Sequence, residues 1–484
     1  MKRGETRFLL SPASSLSDEI ESIDETIVRA RDALMHCPPG HTRRRVVLTS
    51  LAVSLSIRYK ESKGMEDLDE AIVLTREALV LCPPGHPRRL MTLINLARYL
   101  STRYDQLKGM EDINEAIVLA RDALELCPPW HSPRLTILDS LTVSLTARYK
   151  QLGGMGDINE AIVLARDALE LCPPGHSRRL TIMNNLAVSL STRYKQLEGM
   201  EDIDEAIVLA RDALELCPPG HPDRSMALIN LARSLSARSK QLKGMEDANE
   251  ALVLAREALV LYPPGHPNRW VVLNNLACSL STRYKQLDAI EDVNEAIVLD
   301  RDALVLCPPG HPHRWTVLSN IARSLSTRYN QLNGMEDIDE AIMFDREALV
   351  LCPPGHSDRS MTLMNLACSL STRYEQLKGM EDVNEAIVLA RDALLLCPPG
   401  HPRRSTALIN LARSLLTRYD QLNAIEDINE ATVFDREALK LRLPGHPNRS
   451  ASLQHLTECL RVRFTQLGQV EGRDELFSLY AELD

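Results

Sequence analysis

Residues 109–129 read GMEDINEAIVLARDALELCPP, and near copies of this stretch return every 45 residues. A histidine closes each copy: His41, His86, His131, His176, His221, His266, His311, His356, His401 and His446. These ten histidines mark nine equal intervals with no insertion or deletion between them. A fixed period of this size means a repeat architecture, in which each unit is one small motif that buries its apolar face only against its neighbours. The 484 residues are therefore read as a stack, not as about three globular domains.

Each unit predicts two helices. In the quoted stretch, Ile113, Ala116, Ile117, Ala120, Ala123, Leu124 and Cys127 recur at helical spacing and form one apolar face. Asp112 followed by Glu115 has the spacing of a capping box, so this helix, B, is expected to start at Asp112. The same box accounts for the constant glutamate at positions such as Glu25, Glu70 and Glu160. Pro128-Pro129 ends the helix, because proline lacks the amide and restricts the residue before it. The preceding helix, A, is expected to begin after Gly85-His86, with Pro87 in its first turn. Met91, Leu93 or Ile94, Leu96, Ala97 and Leu100 form its stripe, and Gly109 is expected to supply a left-handed exit after Leu107. No segment alternates like a strand, so the chain reads as all-α.

Composition narrows the class. Aromatics are only 4% against 44% apolar residues, which suits an aliphatic, alanine-rich helical interior. The net charge is −10 and no basic run outlasts Arg43–Arg45, so nucleic acid is not the expected partner. No apolar run is long enough to span a membrane, and the first residues lack a secretory apolar segment. Eleven cysteines, most at one repeat position, predict reduced thiols in a cytoplasmic chain.

Within this frame Ala116, Ala120, Ala123 and Pro128 resemble the second helix of a tetratricopeptide repeat, and Leu96-Ala97 resembles the Leu–small pair of its first helix. The usual period is about 34. The longer unit here is similar to the kinesin light chain type. It is also similar to fungal arrays that precede a caspase-like (CHAT-type) peptidase or follow a nucleotide-binding switch. The resemblance implies a right-handed α-solenoid superhelix of about ten helix pairs, with A helices on the inner wall. Residues 1–21 are expected to be an irregular lead, and 22–484 the solenoid. The first B helix is placed at 22–36 and a diverged capping helix near 473–484. No peptidase or switch module is expected in these residues.

Constant residues have structural readings first. The arginines at the Arg76 and Arg103 positions can pair with acids on neighbouring helices. His86 and Arg89, in PPGHxxR, brace the turn. Equivalent histidines on stacked helices are too far apart to share a metal ion, whose ligands stand about 2.0–2.3 Å from it. Cys278, Cys368 and Cys459 lie among apolar residues with no histidine at a repeated partner spacing, so no nucleophile is expected. No phosphate-binding glycine motif is present. No cofactor, metal or catalytic residue is therefore expected.

Function is sought where helix A varies. Asn95, Asn185, Asn230, Asn275, Asn320, Asn365 and Asn410 share one slot. Three residues later, Arg98, Arg233, Arg323 and Arg413 stand in a column that otherwise holds Val, Cys or Glu. That spacing puts both on one face. The asparagines either hold the backbone of an extended peptide or bond the next repeat. The arginines favour acidic side chains or a C-terminal carboxylate. Trp270 and Trp315 either form an aromatic anchor or pack into the enlarged turn. The expected function is a non-catalytic protein–protein interaction scaffold that presents a concave groove to a protein or peptide. The alternative is a sensing array for a signalling enzyme of the peptidase or NTPase-switch kind.

Overall fold

The computed structural model describes residues 12–62, 64–107, 109–197, 199–242, 244–356, 358–401, 403–442, 446, 448–467 and 473–483. Among them every regular element is an α-helix. They fall into two compact units, Met1–Arg148 and Tyr149–Asp484. The first holds α1 (Pro12–Met35), α2 (Arg44–Ser62), α3 (Met65–Val80), α4 (Arg89–Leu107) and α5 (Met110–Leu126), and α6 (Arg134–Leu152) crosses the boundary. The second continues with α7 (Met155–Glu170), α8 (Arg179–Leu197), α9 (Met200–Glu215), α10 (Arg224–Leu242), α11 (Met245–Leu261), α12 (Arg269–Leu287), α13 (Ile290–Leu306) and α14 (Arg314–Leu332). It ends with α15 (Met335–Leu351), α16 (Arg359–Leu377), α17 (Met380–Leu395), α18 (Arg404–Leu422), α19 (Ile425–Leu441), α20 (Arg449–Leu467) and α21 (Arg473–Leu483). Even numbers are A helices and odd numbers are B helices. Helix α1 starts at Pro12, so part of the expected irregular lead is helical, while residues 1–11 lie outside the described residues.

The apolar stripes lie where the spacing puts them. Ile113, Ala116, Ile117, Ala120, Ala123 and Cys127 are buried, as are Leu93, Leu96, Ala97 and Leu100; Met91 is exposed. Within the second unit each A helix packs on the B helices before and after it, and successive A helices also touch, as α10 does α12. Small residues permit this approach: Ser191 meets Ser234 at 3.1 Å and Ser236 meets Ser279 at 3.1 Å. Alanines on the B helices let aliphatic residues such as Leu235, Leu280 and Leu325 sit wholly out of solvent. Full burial of one leucine contributes about 1.5–3 kcal/mol.

The helix ends differ from the expected motifs. Helix α5 starts at Met110 with Gly109 as an extended N-cap, and no side chain caps it. The expected capping box does not form, because both acids have distant arginine partners. Asp112 takes a two-pronged bond from Arg103 at 2.5 and 2.8 Å. Glu115 pairs with Arg76 of the preceding B helix at 2.5 Å. The left-handed residue at the end of helix A stands one position before the slot of Gly109, which is alanine after two of them: Asp288, Asn333, Lys378 and Asn423 have φ of 50–54°. Lys108, in the quoted unit, lies outside the described residues. After α6 the corresponding residue is itself a glycine, Gly153, with φ 72°, and glycine with positive φ recurs in the PPGH turn, where Gly85 has φ 86°. There His86 Nδ1 accepts the Arg88 amide at 3.1 Å, and Arg89 Nη1 donates to the Cys82 carbonyl at 2.7 Å. Helix A starts only at Arg89, so Pro87 belongs to the turn.

Three B helices carry a buried acid where most have alanine: Asp300, Asp345 and Asp435. Ser324 donates to Asp300 at 3.3 Å and Ser369 to Asp345 at 2.8 Å, leaving the second oxygen of each carboxylate without a partner. Burial pushes both carboxyls up to about 7, against the smaller opposing pull of Arg323 and the serines.

Two outcomes follow for stability. Asp292 is almost fully buried against Arg283, whereas the Arg256–Glu295 pair is exposed. In urea unfolding, Asp292→Asn should cost about 2–3 kcal/mol, between the surface and buried limits, and Glu295→Gln under about 1 kcal/mol. Equal losses would contradict the structure. For Asp300 and Asp345, the native state keeps protons that an unfolded carboxyl releases above about 4. Stability therefore falls as pH rises from about 4 to 7 and stays lowered above that. Asp300→Ala with Asp345→Ala should raise the thermal midpoint more at pH 8 than at pH 5; a pH-independent gain would contradict this.

Candidate functional site

The A helices present three successive layers of side chains. At the C-terminal end lies an arginine in every described unit from α2 to α18, and these arginines are engaged with the B helices. Arg238 donates to Asp247 at 2.7 Å and to Asp204 at 2.8 Å, so it joins the B helix that follows it to the one that precedes it. Arg328 does the same with Asp337 and Asn294, and Arg373 with Asp382 and Asp339. The acids hold these guanidinium groups above their ordinary range, and hydrogen bonding from Asp247 is the largest cause at Arg238. They are structural clamps between successive B helices.

The asparagine column lies mid-helix. Asn230 and Asn320 are 5% and 9% exposed. Their amides donate to Asn184 and Asn274 of the preceding repeats at 3.1 and 2.5 Å. Asn275 turns its amide to its own helix, onto the Val271 carbonyl at 2.8 Å. Asn95, Asn185, Asn365 and Asn410 are half-buried. The asparagines at 230 and 320 thus join repeat to repeat.

The arginine column sits on these amides. Arg98, Arg233 and Arg323 donate to Asn95, Asn230 and Asn320 at 3.3, 3.2 and 2.7 Å. Unlike the clamp arginines, none of these three makes a carboxylate ion pair among the described residues, and Arg413 on α18 is exposed. In the second unit further cations gather near them. Lys240 is pushed down by burial and by Arg323 and Lys285, with Cys278 opposing; Lys285 is pushed down by burial and by Arg323. Arg233 is pushed down by burial alone. Lys240, Lys285 and Arg323 therefore act on one another as a cationic group, Arg233 stands apart from them, and Arg323 feels the buried Asp300 and Asp345 without an ion pair to either. The lysines escaped the sequence reading, although their position seven residues after Arg233 on α10 and Cys278 on α12 made them visible.

The tryptophans take the turn. Trp270 lies edge-on to His311 at 5.5 Å and stacks on His313 at 5.0 Å, and Trp315 lies edge-on to His356 at 5.5 Å. Both rings brace the next PPGH turn. All eleven cysteines are free thiols, and no described helix is long and apolar enough to cross a membrane. One further cluster was missed: Cys459 does have a histidine, His455, four residues before it, and both meet Asp435.

Residues 179–223, one full period, match the tetratricopeptide repeat family. No curated protein was found to match the sequence. Among solved structures, the human IFIT1 dimer with m7Gppp-AAAA superposes with a TM-score of 0.51 at 14% identity, covering 93% of this chain and 87% of that one. A putative kinesin light chain from Podospora anserina, with nearly identical TPR-like repeats, aligns over 45% of this chain and 98% of its own at 18% identity and a TM-score of 0.32. A STAND protein with a tetratricopeptide repeat sensor from Pyrococcus horikoshii covers 83% of this chain and 53% of its own at 15% identity and a TM-score of 0.45. The matched period, its even repetition and the paired helices show an all-α array whose units are similar to long tetratricopeptide repeats.

Proposed function

We propose that the array is a non-catalytic scaffold that binds an extended, acidic stretch of a partner polypeptide on the A-helix face of its second unit. The observation that carries this reading is the group of Lys240, Lys285 and Arg323, which act on one another, with Arg233 in the same column as Arg323; none of the four makes a carboxylate ion pair among the described residues. Like charges held close together raise the energy of the free surface, and an anionic ligand lowers it.

The spacing of the helices supports a groove there. Successive A helices touch directly, whereas successive B helices are joined by long Arg–Glu pairs such as Arg256–Glu295 and Arg301–Glu340. Close spacing on one side and wide spacing on the other bends a stack toward the A side. The arginines then supply recognition, and Asn230 and Asn320 orient them. The tryptophans stay with the turns. The IFIT1 structure holds a capped RNA, but at 14% identity that likeness carries the fold and not the ligand.

A fluorescein-labelled glutamate-rich peptide tests the reading. The chain should bind it, more weakly as salt rises, and Arg233→Ala with Arg323→Ala should weaken binding at least about 10-fold, the size of one to two charge-assisted hydrogen bonds. Arg301→Ala, which removes an outer paired arginine, should leave binding unchanged. Absence of peptide binding, or tighter binding of an adenine oligoribonucleotide, would overturn the proposal.

A further inference from the structure

Asp435, His455 and Cys459 mark a place where three columns of the repeat change together. The slot of Asp435 on B helices is alanine in six other units; the slot of His455 on the following A helix is asparagine in most; the slot of Cys459 is serine in nearly all. Asp300 and Asp345 also break the first column, but they still meet Ser324 and Ser369. Only at the α19–α20 contact, among the described residues, do an acid, an imidazole and a thiol coincide.

The geometry brings them to one point. His455 Nδ1 lies 2.7 Å from Asp435 Oδ2, and Cys459 Sγ lies 3.4 Å from the same oxygen. The ligand atoms of all three lie within 4.8 Å of one another. Asp435 and Cys459 are wholly buried, and His455 is the partly exposed edge of the cluster. Hydrogen bonding alone leaves the cluster incomplete: Oδ1 of Asp435, the carboxylate that both side chains meet, is buried with no partner. Orphaned polar atoms are costly inside a protein, and more so on a charged group.

We infer that Asp435, His455 and Cys459 bind one divalent transition-metal ion of the zinc type, which ties α19 to α20 near the C-terminal end of the stack. Thiolate, imidazole and carboxylate are the donor set such an ion takes. Bonds of about 2.0–2.3 Å in a tetrahedron place ligand atoms roughly 3.3–3.8 Å apart. The sulfur–oxygen distance already fits, and the nitrogen–oxygen contact must open by under about 1 Å. One thiolate and one carboxylate neutralise the ion, which suits burial. Binding displaces the thiol proton to solvent. Burial, and after it the carboxylates of Asp435, Glu458 and Asp420, push that thiol far above its ordinary range in the free protein, and the same negative neighbours attract a cation. The fourth position falls to water on the His455 side.

The full chain, freed of metal with a chelator and kept reduced, is titrated with Co²⁺ and then competed with Zn²⁺. The wild type should take one equivalent and show a thiolate-to-cobalt charge-transfer band with tetrahedral d–d bands, and Zn²⁺ should raise its thermal midpoint. The variants restore what other units carry at these slots, which favours folding: Asp435→Ala, His455→Asn and Cys459→Ser. Cys459→Ser should lose the charge-transfer band, and the other two should weaken Zn²⁺ binding at least about 100-fold. No band in the wild type overturns the inference, whatever the variants do. So does a full band in Cys459→Ser, which would place the metal on another of the cysteines.

Discussion

The arginine near the end of each A helix is the constraint on which the stack depends. Its guanidinium is a planar fork with donors on two edges. One edge meets an aspartate nine residues later, in the first turn of the next B helix; the remaining nitrogen reaches 34 residues back, to the start of the B helix before. One side chain thereby sets both the hairpin within a unit and the step between units. Apolar burial supplies most of the free energy, but aliphatic surfaces slide over one another at little cost. Two-pronged bonds to fixed carboxylates do not, so the clamp fixes the register in which leucine and alanine meet.

A second ladder runs outside the first. Arginine mid-way along one B helix reaches the glutamate 39 residues on, as Arg166 does Glu205 and Arg346 does Glu385. These pairs are half-exposed and contribute little each. Their use is spacing: they bridge helices that do not touch, while serine pairs draw the A helices together. Where the A-helix face departs from this plan, it gains cations without carboxylate ion pairs in the second unit and, at the α19–α20 contact, a thiol and an imidazole around a buried acid. Departures from a uniform repeat are the natural places to look for function, because uniform positions are already explained by stacking.

Much of this was legible in the sequence. The period, the two helices and the buried stripes follow from histidine spacing and apolar rhythm. The capping box was not real, because Asp112 and Glu115 satisfy a local pattern while their partners, Arg103 and Arg76, lie 9 and 39 residues away. A motif read within one helix cannot see a stronger donor on another. The asparagine slot was correctly put on the face of the arginines, but whether its amides look outward or to the neighbour depends on the closeness of successive A helices, which serine pairs set. The Asp435 cluster was hidden for a related reason. Its residues stand 20 and 24 apart, and those spacings mean contact only once the units are stacked.

The most direct test of the clamp is native-state hydrogen exchange on Arg283→Leu. Arg283 donates to Asp292 at the start of α13 and to Asn249 at the start of α11. Its removal should strip protection from the first turns of those two helices and from the end of α12, while helices several units away, such as α17 and α18, keep theirs. Unchanged protection at α11 and α13, or an equal loss across the whole second unit, would contradict a stack held together neighbour by neighbour.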